Sequence, residues 1–273
     1  MTPPTPKPRT FRLLLDAHVH VYPFYPLADF LQAALASMPR FAPADARVLC
    51  LAERRDCHFF QSLATDEIPL PSGWRIAAFD PDGAVKLRHR PTHRDLWFVA
   101  GRQIATAERI EICSLFSDEA IPDALPAAET LSRIDAAQAV PLLNWAPGKW
   151  LFRRAPLIEK ILRARTPGTL VVADTALRPT LWPWPRALSL AQKLGHPVWA
   201  GSDPLPIPGD HVIPGTYHTL LTLPEPPLSN IVAPLRDLIT SRSPAQLRGA
   251  RTPLLPLLRR LRANSKSPPP PPS

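Results

Sequence analysis

Short apolar runs alternate with amphipathic helical patterns along most of this chain, and several runs stop at a polar residue. Phe11–Leu15 leads into Asp16, and Ala139–Asn144 follows the helical stretch Ala127–Gln138. Thr169–Ala173 ends at Asp174, and Pro197–Ala200 runs into Gly201-Ser202-Asp203. Strands that alternate with helices imply right-handed crossovers and a largely parallel sheet. The helical patterns are explicit: Leu27, Phe30, Leu31, Ala34 and Leu35 recur at helical spacing, as do Ala155, Leu157, Ile158, Ile161 and Leu162. Further helices are expected around Arg54–Leu63, over Ala187–Leu194 with Gly195 as the stop, and over most of 229–263.

The rhythm breaks in one region. Trp74–Phe79 and Ala84–Leu87 flank Asp80-Pro81-Asp82-Gly83, a tight hairpin turn in which Gly83 takes positive φ. Leu96–Ala105 and Arg109–Phe116 read as a second strand pair. Seven or eight strands in all predict an α/β fold, a distorted (β/α)7–8 TIM-like barrel with a β-hairpin-rich insertion around residues 74–116. No Gly-rich dinucleotide fingerprint follows the first strand, which argues against an open doubly wound sheet. A barrel of roughly 250 residues is commonly one domain. Residues 11–264 are therefore read as a single domain, with 1–10 a flexible leader and the proline-rich 265–273 a disordered tail.

Composition narrows the classes. The 38 prolines and 10 glycines together stay below the roughly 25–30% that marks a disordered chain. No stretch of about 18 apolar residues occurs, so no membrane partner is expected. The N-terminus lacks the apolar segment of a secretory signal. Three cysteines, Cys50, Cys57 and Cys113, without Cys-x-x-Cys spacing fit reduced thiols in a cytoplasmic protein. The net charge of +9 is spread over scattered arginines, so nucleic acid is not the favoured partner; Arg248 to Lys266 is where it would bind.

In parallel barrels the chemistry lies at the C-terminal ends of strands. The polar residues there are Asp16, His18, His20, Gln103, Glu111, Asn144, Asp174 and Asp203. Alternate residues of a strand share a face, so His18 and His20 can reach one ion, with Asp16 on that face to orient a ligand histidine. Gly201 allows close backbone approach near Asp203, whose carboxylate suits a hard oxygen ligand or a general base. Blander readings hold elsewhere. Asp174 and Arg178 make a local ion pair, and Lys149 is a solvated loop lysine unless it faces the strand ends and binds an anion. The blander reading also holds for His211 and His218, whose alternative role is to supply a missing ligand.

Leu14-Leu15-Asp16-Ala17-His18-Val19-His20, with the helix after it, resembles the opening of the PHP (polymerase and histidinol phosphatase) metal-dependent phosphoesterases and of the wider amidohydrolase group. Gly201-Ser202-Asp203 is similar to their last-strand aspartate motif, and Gly101-Arg102-Gln103 followed by Ile110-Glu111-Ile112 to the PHP Gly-x-Glu strand and its successor. The chain departs from the pattern at Gln103, Glu111, Asn144-Trp145 and Pro204-Leu205, where PHP proteins carry a glutamate and histidines. The resemblance implies a metal-dependent hydrolase acting on a phosphoester or related small anionic substrate. A reduced site would hold a divalent Zn, Mn or Fe ion on His18, His20, Glu111 and Asp203. Asp203 and Asp16 would serve catalysis, and Lys149 and Arg102 would bind substrate. The alternative is a barrel that keeps the fold without catalysis and acts as a ligand-binding or interaction protein.

Overall fold

Two sheets, rather than one closed barrel, organise the chain. The computed structural model describes residues 10–38, 46–146, 148–150, 152–227 and 229–265, so the expected leader and tail lie almost entirely outside the described residues. In chain order the elements are β1 (Phe11–Val19), α1 (Leu27–Ser37), β2 (Ala46–Leu51), α2 (Phe59–Ala64), β3 (Trp74–Asp80), β4 (Ala84–His89), β5 (Arg94–Val99) and β6 (Gly101–Ala105). There follow β7 (Glu111–Leu115), α3 (Ala127–Ala136), β8 (Val140–Asn144), α4 (Ala155–Ala164), β9 (Val171–Thr175), α5 (Arg186–Lys193) and β10 (Val198–Gly201). The chain finishes with β11 (Tyr217–Leu223), α6 (Val232–Thr240), β12 (Gln246–Gly249) and α7 (Leu254–Asn264). One sheet has the order β12-β11-β1-β2-β5-β4-β3 and the other β10-β9-β8-β7-β6.

The expected TIM-like barrel is thus corrected, and the reason is edge occupancy. A strand has two hydrogen-bonding edges. β1 pairs in parallel with β2 on one side and antiparallel with β11 on the other, leaving none for β10. β11 fell within a stretch that sequence spacing left unassigned. β10 still approaches β1, through a bond from the Asp203 N–H to the His18 carbonyl (3.0 Å), but no ladder forms. The 74–116 region is likewise no insertion. β3 and β4 extend the first sheet beyond β5, and the chain crosses at Ala100 into the second sheet, where β6 pairs antiparallel with β7. The hairpin at Asp80–Gly83 is present, with Asp80 opposite Ala84 and Gly83 at φ 106°. The expected strand Leu96–Ala105 is instead split at Ala100 into β5 and β6, and only β6 pairs with β7.

The sheets face each other over a core that includes Leu13, Leu15, Val48, Trp97, Val99, Leu142, Val171, Trp199 and Leu221. α1 and α2 cover the outer face of the first sheet, and α3, α4 and α5 cover that of the second. α6 closes the core with Val232, Leu235, Leu238 and Ile239. Its first turn begins at Ile231, which has no side-chain acceptor, and Asp80 supplies one from the β3–β4 turn. Asp80 Oδ2 accepts the Ile231 and Val232 N–H groups at 2.8 and 2.9 Å. Asp80→Ala removes this remote cap and is expected to cost about 1–2 kcal/mol, read as a lower urea midpoint with unchanged slope.

No helix among the described residues is long and apolar enough to cross a membrane. The three cysteines are free and buried.

Candidate metal centre

A β-bulge near the end of β1 builds the site. Leu13, Leu15 and Ala17 face the inter-sheet core, whereas Leu14 packs on the outer side. Between Asp16 and Val19 the register against β2 shifts by one residue. Such a bulge reverses which parity points inward, and Val19 accordingly faces out. His18 and His20 turn inward together. Asp16 does not share their face, because strict alternation from 16 to 20 is what the bulge breaks.

The inward residues at the ends of neighbouring strands complete the cluster. His18 Nε2 and His20 Nε2 stand 3.0 Å apart, and Asp203 Oδ1 lies 3.7 Å from the first and 3.8 Å from the second. All three residues are buried. Asp203 Oδ2 accepts hydrogen bonds from Asn144 Nδ2 (3.2 Å) at the end of β8 and Thr175 Oγ1 (3.1 Å) at the end of β9. Asp203 adopts φ 51°, a left-handed conformation that aspartate tolerates better than most residues. Cys113 on β7 sets its Sγ 3.5 Å from His18 Nδ1, and Tyr22 stacks on His20. Gly201 is required where β10 meets β1, since a Cβ there would lie 2.7 Å from the His18 Cβ.

Electrostatics favour a neutral His20 ring and a charged Asp203 carboxylate. Burial, with His18 and Arg54 nearby, pushes the His20 ring down to about 3. Burial opposes ionisation of Asp203, but His18, His20 and the bonds from Asn144 and Thr175 outweigh it and hold its carboxyl below the usual range. Burial also keeps Cys113 a thiol.

A triangle with sides of 3.0, 3.7 and 3.8 Å has a circumscribed circle of about 2.05 Å radius. Imidazole nitrogens and carboxylate oxygens bind a zinc-type ion at about 2.0–2.2 Å. The three donor atoms are therefore spaced as one divalent ion requires, and a donor set of two imidazole nitrogens and one carboxylate oxygen suits it chemically. Asn144 Oδ1, buried beside them, has no hydrogen-bond partner among the described residues.

The other predicted residues are placed differently. Asp16 is fully buried and accepts backbone N–H groups from Ser202 (2.8 Å), Gly215 (2.7 Å) and His18 (3.3 Å), so it braces three chain segments rather than an imidazole ring. Burial pushes its carboxyl up to about 7. Glu111 lies outside the three-residue group and is engaged by Lys149 and by Gln103. It shares the inward face of β7 with Cys113, two residues on. Arg102 points to the opposite face of β6 from Gln103, where it meets Glu53 (3.5 Å) and the Cys57 carbonyl (2.9 Å). Asp174 and Arg178 form the expected ion pair, now seen to be bidentate and buried. His218 is bonded to the Gly215 carbonyl, and His211 packs beside Tyr25. Cys113 and Thr175 were missed by sequence reading. Alternation along β9 was the available signal for Thr175, since it sets that residue on the face opposite Asp174.

No protein-family model and no curated protein matches the chain. Solved structures do. PsfC from Pseudomonas syringae PB-5123 superposes with a TM-score of 0.60 at 17% identity, over 94% of this chain and 99% of that one. A two-domain protein from Bacteroides vulgatus ATCC 8482, described as containing a predicted PHP-like metal-dependent phosphoesterase, gives 0.50 at 12% identity, over 93% of this chain and 70% of that one. The chain is thus similar in fold to both proteins, one of them PHP-like, and far diverged from both in sequence.

Proposed function

We propose that the protein is a metal-dependent hydrolase of phosphoesters or related anionic substrates. The carrying observation is the triangle of His18 Nε2, His20 Nε2 and Asp203 Oδ1, whose spacing matches a single divalent ion. His18, His20 and Asp203 would hold that ion, and Zn, Mn or Fe suits the mixed nitrogen and oxygen donors. When bound, such an ion supplies Lewis acidity toward a phosphoryl oxygen and lowers the pKa of water.

The chain's own residues prepare this chemistry. Asn144 and Thr175 fix Asp203 by binding its second oxygen, so that Oδ1 stays turned to the imidazoles. Cys113 contacts His18 Nδ1, which leaves Nε2 as the free donor when Nδ1 carries the proton. Lys149, half-exposed and paired with Glu111, offers a cation for an anionic substrate. Glu111 is assigned here to holding that lysine, and becomes a further ligand only if the pair opens. Asp16 fixes the meeting point of β1 with the segments at Ser202 and Gly215.

The test is hydrolysis of p-nitrophenyl phosphate and of a phosphodiester analogue by tag-free protein, with Mn or Zn added. Metal-dependent turnover that falls at least 100-fold in Asp203→Asn supports the proposal. A correctly folded protein that binds metal but turns over neither compound class would favour the second reading, a ligand-binding protein that has kept the centre without catalysis. The engagement of Glu111 by Lys149, which leaves three ligands in the group, is what keeps that reading in play.

A further inference from the structure

A cleft lies in the groove between α4 and α5. Its volume is about 620 Å³, a size that accommodates a small ligand. At its head stand four indoles, from Trp145, Trp150, Trp182 and Trp184. Trp182 and Trp184 are 38% and 39% exposed, a large solvent-facing area for side chains that are highly buried on average. Isolated exposed aromatics are unremarkable, but a cluster of them in a concave site marks a binding surface. Trp150 is 3% exposed, and its indole N–H has no acceptor among the described residues.

The aromatic wall is held rigidly. Arg178 places its guanidinium 5.2 Å from the centre of the Trp184 ring and donates to the Trp182 carbonyl at 2.8 Å. The same arginine is locked to Asp174 by two bonds of 2.7 and 2.6 Å, and Tyr217 donates to Asp174 at 2.7 Å. Trp182-Pro183-Trp184-Pro185 is thus fixed from behind by a buried network, with two prolines restricting its own backbone.

The cleft is also positive. Arg186 and Lys193 line it and form no ion pair among the described residues, while Arg163 is already neutralised by Glu159. Arg186 and Ala187 open α5, whose N-cap position is Pro185 and carries no side-chain cap. The unpaired N–H groups of a helix start attract an anion.

Stacking rings beside an anion-binding helix start and free cations fit one ligand chemistry, a planar base carrying a phosphate. We propose that this cleft binds a nucleotide, its base against Trp182 and Trp184 and its phosphate at the start of α5 near Arg186. Aromatic faces accept any base, so recognition here is tolerant of base identity. The cleft shares no residue with the His18–His20–Asp203 group and does not need a metal.

Isothermal titration with adenosine monophosphate, in EDTA and low salt, tests this apart from the metal centre. Saturable binding is expected, accompanied by quenched tryptophan fluorescence and weakened by added salt. Trp182→Ala should lose roughly tenfold or more in affinity. Arg186→Glu should do the same without touching the aromatic wall, and circular dichroism checks that both variants fold. Adenosine and inorganic phosphate should each bind more weakly than the nucleotide. A single-stranded oligonucleotide that binds more tightly than the monomer would identify the source as a strand, and equal affinity would identify free nucleotide. No saturable binding, binding indifferent to both substitutions, or binding of a proline-rich peptide in place of the nucleotide would overturn the proposal.

Discussion

His20→Ala is expected to lower the affinity for a divalent ion by more than 100-fold while the metal-free protein remains folded. Loss of an outer partner that merely orients a ligand typically costs about 10–100-fold. His20 is one of three donors in the proposed centre, so its removal should exceed that range. The fold has little dependence on the ring. It lies just past the end of β1, where it stacks on Tyr22, approaches His18 and Asp203 and meets the Ala52 backbone. The substitution should cost the metal-free fold on the order of 1 kcal/mol. Competition against a chromophoric chelator reads the affinity, and a urea titration in EDTA reads the stability. Near-normal affinity in His20→Ala would mean that the metal, if bound, sits elsewhere.

Asp174→Ala is expected to destabilise the protein by about 3–5 kcal/mol, the usual result of leaving a buried charge without its partner. Asp174 is 0% exposed and Arg178 3% exposed. The truncation removes both carboxylate oxygens that Arg178 faces and the acceptor of the Tyr217 hydroxyl. The Arg178 guanidinium keeps its bond to the Trp182 carbonyl but has no other ion-pair partner among the described residues. An Asp174→Ala/Arg178→Met double variant removes the orphaned charge as well, so it should be more stable than the single variant. Equilibrium urea unfolding of the two variants and the parent measures both effects. If Asp174→Ala changes stability by less than 1 kcal/mol, the pair is neither as buried nor as tightly coupled as described.

Much of this molecule was legible in its sequence, and the failures have local causes. Strand ends could be read from apolar runs stopping at polar residues, which located His18, His20, Asn144, Asp174 and Asp203. The β3–β4 hairpin followed from turn chemistry at Asp80–Gly83, and the β6–β7 pairing from paired apolar runs that missed the break at Ala100. Closure of the sheet could not be read, because it depends on which strand takes each edge of β1. β11 takes one of them, and its antiparallel pairing involves partners some 200 residues apart in sequence. The bulge in β1 was equally hidden. Period-two reasoning put Asp16 with the histidines, and one extra residue reversed the parity between them. Arg102 illustrates the same sensitivity from the other direction. It neighbours Gln103, yet its side chain leaves on the far face toward Glu53. Trp182-Pro183-Trp184-Pro185 went unread in the sequence, and only the packing of α4 against α5 shows that a cleft lies beside it.

The measurement that bears most directly on the central claim is metal content. Tag-free protein and a His18→Ala/His20→Ala double variant of verified fold would be incubated with Mn or Zn, freed of loose ions and assayed by mass spectrometry. One equivalent of metal per chain in the parent, absent from the double variant, is the predicted result. A parent protein that retains no metal after incubation with either ion would contradict the account.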